Sequence, residues 1–406
     1  VSEHSGYHHG EASLNGAIVG MAQNYVGSNN INLLQPNGQF GTRLQGGKDS
    51  ASERYIFTQL SPLTRYIYPQ DDDAILRYLD DDGLSVEPVF YAPIIPMVLV
   101  NGSKGIGTGF STEIQSYYPP IIIHYLKQKL LNYDVSGIKF TPYFEGFNGS
   151  IHEVSKNKYL VCGKYKVVGQ DKICVTELPV GYWTDDFKEH LENLASNVDK
   201  NGKKVTPIIK EIDDMSKSTN VSIVITFTRD TLQHLEQKTI DNGCNNLEKT
   251  LKLFTTFSTT NMHMFDAYEK LKKYETIPEI IDDYYVTRLE LYQKRKDFML
   301  DILKKQLKIC SNKMKYIQEL LDETLDLRKK SKTTIIELLE SKDYDMIDDD
   351  TDYKYLLKMP MDSVCEENFE ALLKEKGNKE AELNKVKETT IQMMWLYELR
   401  VLEKQY

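Results

Sequence analysis

A stretch of about fifty residues that no proline interrupts, residues 279–327, constrains the fold of this chain more than any other feature. Apolar side chains recur along it at steps of three and four residues, so one side of a helix stays mostly apolar for at least four heptads. A helix of this length spans roughly 70 Å at 1.5 Å per residue, which is too long to pack inside one domain. We therefore expect an extended helical arm.

A second helical stretch, residues 370–404, is long enough to pair with much of that helix as an antiparallel coiled coil. Residues 334–340 and 353–361 lie between the two stretches and predict a small helical globule at the far tip. The sequence thus predicts an arm over residues 266–406, with its tip at about 328–370.

The beginning of the chain follows another pattern. Residues 11–25 have helical periodicity, residues 31–34 predict a strand, and Pro36-Asn37-Gly38 predicts a turn into a glycine-rich segment. This order favours a winged-helix variant of the helix-turn-helix, a fold that commonly binds duplex DNA. We assign it to residues 1–115.

Residues 116–265 mix helices with short strands. We predict helices over 121–131 and 183–194, and strands over 159–162, 172–175 and 221–227. The predicted fold class is therefore multidomain α+β, with a winged-helix domain, an α/β domain and a long antiparallel coiled coil that carries a small helical tip.

The glycine-rich segment offers the strongest chemistry. Its glycines permit left-handed dihedrals and close approach of a polyanion, while Arg43, Lys48 and Arg54 carry phosphate-compatible charge. Tyr55 follows at the start of a β-prone run. A phenol has a pKa of about 10, so it needs a neighbouring cation to attack phosphorus, and Arg54 is adjacent. With 26 tyrosines in the chain, packing or a surface position stays the alternative for Tyr55.

A second glycine-rich segment, Gly105-Ile106-Gly107-Thr108-Gly109, resembles a dinucleotide-binding loop only loosely, because the Rossmann spacing and the surrounding βαβ unit are missing. Ile106, flanked by glycines, instead suggests an exposed aliphatic wedge. Such wedges enter base steps and kink DNA at a cost of a few kcal/mol.

Charge and cysteine content set limits on the chemistry. The net charge of −10 argues against a protein that coats DNA, unless the acid lies away from the site. Three aspartate triplets, at 71–73, 80–82 and 348–350, lack ordered ligand spacing and predict solvated turns rather than metal sites. Five scattered cysteines indicate reduced thiols, and no apolar run is long enough for a membrane span.

Four runs occur in an order that one family shares: Tyr7-His8-His9-Gly10-Glu11; Phe40-Gly41-Thr42-Arg43 with Gly46-Gly47-Lys48-Asp49; Arg54-Tyr55; and Pro96-Met97-Val98-Leu99-Val100-Asn101-Gly102 before the Ile106 segment. They resemble the breakage-and-reunion region of type IIA DNA topoisomerases of the eukaryotic or large-DNA-virus branch. The middle domain then resembles the family's tower, and the coiled coil with its tip resembles the arm and dimerisation gate.

The resemblance implies roles for individual residues. Tyr55 becomes the nucleophile that attacks a DNA phosphodiester and forms a 5′-phosphotyrosyl link, assisted by Arg54 and His9. The residues expected to contact DNA are His8, Ser13, Arg43, Lys48 and Ile106, of which Ile106 would bend the duplex. No metal site is expected within the chain.

The resemblance also implies partners and cofactors. Mg²⁺ and ATP would serve the full-length enzyme, an ATP-hydrolysing isomerase, and both would bind outside these residues, in domains that precede Val1. We expect a homodimer acting on double-stranded DNA without a membrane, in the nucleus or at a cytoplasmic viral replication site. Alone, the 406 residues are expected to be inactive.

Some positions depart from the family's pattern. Glu53 stands before Arg54 where a small residue is common, and Phe110 stands where tryptophan is usual. Ala12 and Gly16 replace glutamines on the first helix, which puts DNA contacts from that helix in doubt. Two other functions stay open at this point: a non-catalytic architectural protein that bends DNA, and a breakage subunit of the bacterial gyrase type.

Overall fold

The computed structural model describes residues 1–198 and 203–406, so residues 199–202 of the predicted tower lie outside the described residues. The chain divides into two compact units. Val1–Gln70, Leu76–Arg288 and Glu398–Tyr406 form the first unit, and Asp71–Ile75 with Leu289–Tyr397 forms the second. The first unit contains both the winged-helix and the tower regions, so the division at residues 115 and 265 stays a prediction.

The N-terminal part of the first unit consists of short elements around one longer helix. Its helices are α1 (Ser2–Ser5), α2 (Glu11–Ala22), α3 (Thr64–Ile67) and α4 (Met97–Asn101). Its strands form two hairpins, β1 (Tyr78–Asp81) with β2 (Leu84–Pro88), and β3 (Ser103–Gly107) with β4 (Phe110–Ile114).

Helix α2 confirms the predicted first helix, although it ends three residues earlier. The backbone turns extended at Gln23, whose side-chain amide donates to the Phe40 carbonyl at 2.9 Å. The strand predicted at 31–34 is wrong as a regular strand. Only isolated bridges form, Leu34 with Leu60 and Asn37 with Phe57, because Pro36 lacks the N–H that a continuous ladder requires.

The middle of the first unit confirms the α/β prediction. Its helices are α5 (Pro119–Leu130), α6 (Thr184–Ala195), α7 (Thr231–Glu236) and α8 (Asn246–Thr250). Its strands are β5 (Ser150–Ser155), β6 (Lys158–Cys162), β7 (Lys164–Gly169), β8 (Lys172–Glu177), β9 (Ile209–Asp214), β10 (Ile223–Phe227), β11 (Phe254–Ser258), β12 (Met262–Phe265) and β13 (Leu271–Tyr274).

Two antiparallel sheets organise this region. One has the strand order β7-β8-β10-β9 and the other has the order β11-β6-β5. In the first sheet Ile223 pairs with Val175 and Ile225 with Ile173, and all four side chains are fully buried. Alternate residues of these strands face the core that contains Phe187 of helix α6, as expected for a sheet covered on one face.

The predicted arm is present in the second unit. Helix α9 (Ile277–Leu321) has 45 residues, and its partner is not one helix but two, α12 (Glu366–Glu388) and α13 (Ile391–Gln405). The break falls at Thr389, which is extended and whose hydroxyl donates to the Lys385 carbonyl at 2.7 Å. A hydroxyl that bonds to the backbone competes with helix continuation.

Contacts along the arm show that its helices run antiparallel. Lys296 donates to the Thr389 carbonyl at 2.7 Å, Leu303 packs with Leu383 and Val386, and the Cys310 thiol donates to the Leu372 carbonyl at 3.2 Å. The tip contains α10 (Lys332–Ser341) and α11 (Lys354–Leu357) around a separate apolar core. The coiled coil and its compact tip are therefore confirmed.

One acidic triplet is not the solvated turn predicted for it. Asp72 is 4% exposed, and its carboxylate accepts a hydrogen bond from Arg295 Nε at 2.8 Å within the second unit. Arg295 lies 223 residues away, so no local pattern could reveal the pair. The triplet at 80–82 is exposed, as expected.

Candidate active site

Tyr55 ends a single 3-10 turn, Glu53–Tyr55, and projects from it into solvent. Its main-chain N–H donates to the Ser52 carbonyl at 2.9 Å, and 69% of the residue is exposed. The main chain that follows is paired in both directions, since Phe57 and Asn37 exchange hydrogen bonds of 3.0 and 3.1 Å. The phenol is therefore accessible while its backbone is anchored.

Arg54 lies against the same phenol. Its guanidinium carbon is 5.5 Å from the centroid of the Tyr55 ring, and its Nε donates to Ser52 Oγ at 3.4 Å. Glu53 lies at 3.5 Å from Ser52 Oγ through one carboxylate oxygen, and none of the ion pairs between described residues joins it to Arg54. The unusual Glu53 thus leaves the arginine's charge available for a phosphate.

The glycine-rich loop, residues 38–49, is closed on itself rather than open to a polyanion. Gly41 has a φ of +104°, and a Cβ there would lie 2.6 Å from the Gly47 Cα. Gly46 packs so closely that a Cβ would lie 2.3 Å from the Trp183 ring. Asp49 accepts a hydrogen bond from the Thr42 N–H at 2.8 Å across the loop. These glycines therefore serve close packing, contrary to the expected backbone approach of phosphate.

Arg43 does not have the position that a DNA contact requires. It is 6% exposed, and its guanidinium forms an ion pair with Glu177, which is 1% exposed. Glu177 also accepts hydrogen bonds from the main-chain N–H groups of Leu178 at 2.9 Å and Asn148 at 3.1 Å. The pair fastens the loop to strand β8, so we correct the predicted role of Arg43 to a structural one.

Two other residues of this region differ in their surroundings. Lys48 is exposed and free of any described ion pair among the described residues, as a phosphate contact requires. Tyr25 is half-buried beneath Gly47, and burial, followed by the negative charge of Asp49, raises the pKa of its phenol.

The predicted contacts near the N-terminus are all exposed. His8 and His9 precede helix α2, and Ser13 lies on its first turns. The His9 ring packs edge-to-face on Tyr7 with a centroid separation of 5.4 Å. Within the described residues, no direct contact links His9 to Tyr55, whereas Arg54 does contact it.

Ile106 lies in the hairpin of β3 and β4, which we call the wedge hairpin. It pairs with Ser111, two residues from the tight turn, and is 95% exposed. Phe110, across from Gly107, packs on Phe265 with ring centroids 6.1 Å apart. Phenylalanine therefore supports the hairpin at the position where tryptophan is usual, and the wedge has the exposed geometry that was expected.

Sequence reasoning missed two functional candidates, Asn30 and Asn101, because nothing local distinguishes them from turn residues. Their side chains join the segment after helix α2 to the wedge hairpin. For Asn101 the residue pair is 70 positions apart in sequence. A buried asparagine directly before a glycine was the only available signal.

The residues present do not fit a divalent metal. Across residues 1–198 and 203–406, no group of three or more His, Cys, Asp or Glu side chains is arranged to hold an ion. We therefore derive no catalytic step through Mg²⁺ or ATP at this site. No helix in the described ranges is both long and apolar enough to cross a membrane.

Comparisons with known proteins agree with the motifs. DNA topoisomerase 2 from Arabidopsis thaliana is 38% identical over 445 residues, which cover 100% of this chain and 29% of that protein. DNA topoisomerase 2-beta from Gallus gallus is 37% identical over 432 residues, covering 98% of the chain and 26% of its own length. The chain thus spans less than a third of the length of these relatives.

A solved structure gives the same answer for the fold. The crystal structure of the Plasmodium falciparum topoisomerase II DNA-binding, cleavage and re-ligation domain matches with a TM-score of 0.88 and 37% identity. The match covers 99% of this chain and 56% of that one. The predicted resemblance and the predicted fold class are both confirmed.

A family model that describes the A-type subunits of DNA gyrase/topoisomerase IV matches residues 1–400. Together with the exposed tyrosine, its adjoining arginine and the wedge hairpin, this match assigns the chain. The chain belongs to the A-type family of DNA gyrase/topoisomerase IV subunits.

Proposed function

We propose that this chain is the DNA-cleaving part of a type II DNA topoisomerase, with Tyr55 as its nucleophile. The observation that carries the proposal is the Tyr55 phenol, 69% exposed, with the Arg54 guanidinium 5.5 Å from its ring centroid, in a chain of this family. An exposed phenol beside a cation is suited to attack on a phosphodiester.

The proposed step is an in-line displacement at phosphorus. The Tyr55 oxygen forms a bond to phosphorus as the bond from phosphorus to the 3′ oxygen breaks. The phenol loses its proton and the 3′ oxygen gains one, leaving a 5′-phosphotyrosyl link and a free 3′ hydroxyl. Because one phosphoester replaces another, the reverse reaction reseals the strand without ATP.

The remaining site residues act on the DNA. Arg54 and His9 would stabilise negative charge on the phosphate oxygens. His8, Ser13 and Lys48 are exposed and would contact the backbone, and Ile106 would enter a base step and bend the duplex. Arg43 is excluded from this set by its buried ion pair with Glu177.

The proposal includes partners and cofactors. Two copies of the chain would each cut one strand of a duplex, in the nucleus or at a viral replication site. Mg²⁺ and ATP would bind to other parts of a longer polypeptide and serve ATP-dependent strand passage. The 406 residues alone would bind duplex DNA weakly and dimerise, and relaxation of plasmid by them with Mg²⁺ and ATP would contradict this division of labour.

Replacement Tyr55→Phe tests the nucleophile in the complete polypeptide. It removes only the attacking oxygen, so we expect covalent protein–DNA adducts on end-labelled duplex to fall by at least about 1000-fold. The matched control is Tyr268→Phe, which removes the hydroxyl of a tyrosine that is 80% exposed elsewhere in the unit. Adducts that persist in Tyr55→Phe and carry the label on another residue would exclude Tyr55 as the nucleophile.

A further inference from the structure

A side-chain amide joins the segment after helix α2 to the base of the wedge hairpin. Asn101 Oδ1 accepts a hydrogen bond from the Ile31 N–H at 3.0 Å, and Asn101 Nδ2 donates to the Ile31 carbonyl at 2.9 Å. The amide of Asn101 therefore pairs with the main chain of Ile31 in both directions, as a neighbouring strand would. Such a two-way pair fixes orientation as well as distance.

A second amide reinforces the same junction. Asn30 is 8% exposed, and its Nδ2 donates to the carbonyls of Val100 at 2.8 Å, Tyr143 at 3.1 Å and Tyr117 at 3.3 Å. Its Oδ1 accepts from the Glu145 N–H at 2.8 Å. Both polar ends of Asn30 are thus occupied by main chain.

One side of this junction leads to the nucleophile. Two residues after Ile31, the Leu33 carbonyl accepts from the Ser61 N–H at 2.9 Å. Gln35 then bonds Gln59 at 2.8 Å, and Asn37 exchanges two bonds with Phe57, two residues from Tyr55. An almost unbroken series of main-chain bonds therefore runs from the junction to the tyrosine.

The other side leads to the wedge. Asn101 ends helix α4, Gly102 follows, and strand β3 begins at Ser103 with Ile106 three residues further on. Gly102 has a φ of +74°, and a Cβ there would lie 2.7 Å from the Ile114 carbonyl oxygen. This close approach leaves little freedom between Asn101 and the hairpin.

We propose that Asn101, supported by Asn30, is a positioning residue that fixes the spacing between Tyr55 and Ile106. It thereby sets the register on the duplex between the point of bending and the point of cutting. This inference rests on the proposed function. Asn30 is buried and both amides are paired with main chain, so these residues act through the nucleophile and the wedge rather than on DNA directly.

The chemistry makes this spacing matter. In-line displacement needs the attacking oxygen behind phosphorus, and a misplacement of about 1 Å can reduce a rate on the order of 100-fold. A bend placed at the wrong step would deliver the scissile phosphate away from Tyr55. Binding itself depends on phosphate contacts spread along the duplex and is much less sensitive to register.

A double-mutant cycle in the complete polypeptide separates positioning from general stability. We expect Asn101→Ala to slow adduct formation by about 10- to 100-fold, with duplex affinity within about twofold of wild type. Ile106→Ala should slow it as well. Because Asn101 acts through Ile106, the double variant should be no slower than the worse single variant. Multiplication of the two effects, or an unchanged rate in Asn101→Ala, would overturn the inference.

Two further measurements guard against misreading the cycle. Asn312→Ala removes another buried asparagine, whose Nδ2 donates to Asp345 at 3.0 Å in the second unit, and its cleavage rate per folded molecule should be unchanged. Asn101→Asp keeps the acceptor for Ile31 and loses the donor, so its rate should lie between Asn101→Ala and wild type. Adducts that survive Tyr55→Phe refute the proposed function, whereas additive effects with Tyr55 required refute only the positioning role.

Discussion

The glycine-rich loop and the tyrosine segment that follows it contain similar residues and use them in opposite ways. Arg43 of the loop is 6% exposed and paired with Glu177, whereas Arg54 is exposed and lies on the Tyr55 ring. The two arginines are neighbours in sequence and equally suited to phosphate by charge. The difference teaches that a buried carboxylate, distant in sequence, decides which arginine is scaffold and which is site.

The largest expected effect breaks the scaffold side of this comparison. Arg43→Ala leaves the Glu177 carboxylate buried without its partner, so the free energy of unfolding of the first unit should fall by about 3–5 kcal/mol. Chemical denaturation measures this. The double variant Arg43→Met, Glu177→Gln removes both charges and should recover much of the loss. Unchanged stability with weakened duplex binding would instead identify Arg43 as a phosphate contact.

The next effect tests the site side. Arg54→Ala removes an exposed cation beside the attacking oxygen, so adduct formation should fall on the order of 100-fold, while stability changes by less than about 0.5 kcal/mol. Single-turnover cleavage measures the rate. Lys48→Ala is the control: it should weaken binding and lower the salt slope by about 1 without a comparable loss of cleavage rate. Equal effects of the two variants would contradict a special role for Arg54.

The smallest effect concerns pH and the packing of the loop. The pKa of Tyr25 is raised in the folded protein by burial and by Asp49, so its contribution to stability is complete below pH 10 and is lost as pH rises through the folded pKa. Tyr25→Phe should therefore lose less stability than wild type between neutral and strongly alkaline pH.

Thermal unfolding over that range measures the Tyr25 effect. Tyr268→Phe changes a tyrosine that is 80% exposed, and its alkaline loss should match that of wild type. A Tyr25→Phe variant whose alkaline loss equals that of wild type would show that the loop does not bury the phenol in solution.

Local sequence patterns predicted those parts of the molecule whose physics is local. The 45-residue helix, the strands β8 and β10, and the exposed wedge at Ile106 depend on periodicity and glycine spacing over a few residues. The failures have a common cause. Arg43 is buried by Glu177, 134 residues away, and Asp72 by Arg295, 223 residues away. A motif describes neighbours in sequence, and burial by a distant partner leaves no trace in it.

The assignment of Asp71–Ile75 to the second unit has a consequence for synthesis and folding. Asp72 leaves the ribosome long before Arg295, and until then its carboxylate has no buried partner. The polypeptide also passes between the two units four times, at residues 70/71, 75/76, 288/289 and 397/398. The base of the arm therefore cannot complete its core as an autonomous C-terminal domain. Contacts of such long sequence separation form late and slowly, so we expect assembly of this region to limit the rate of folding.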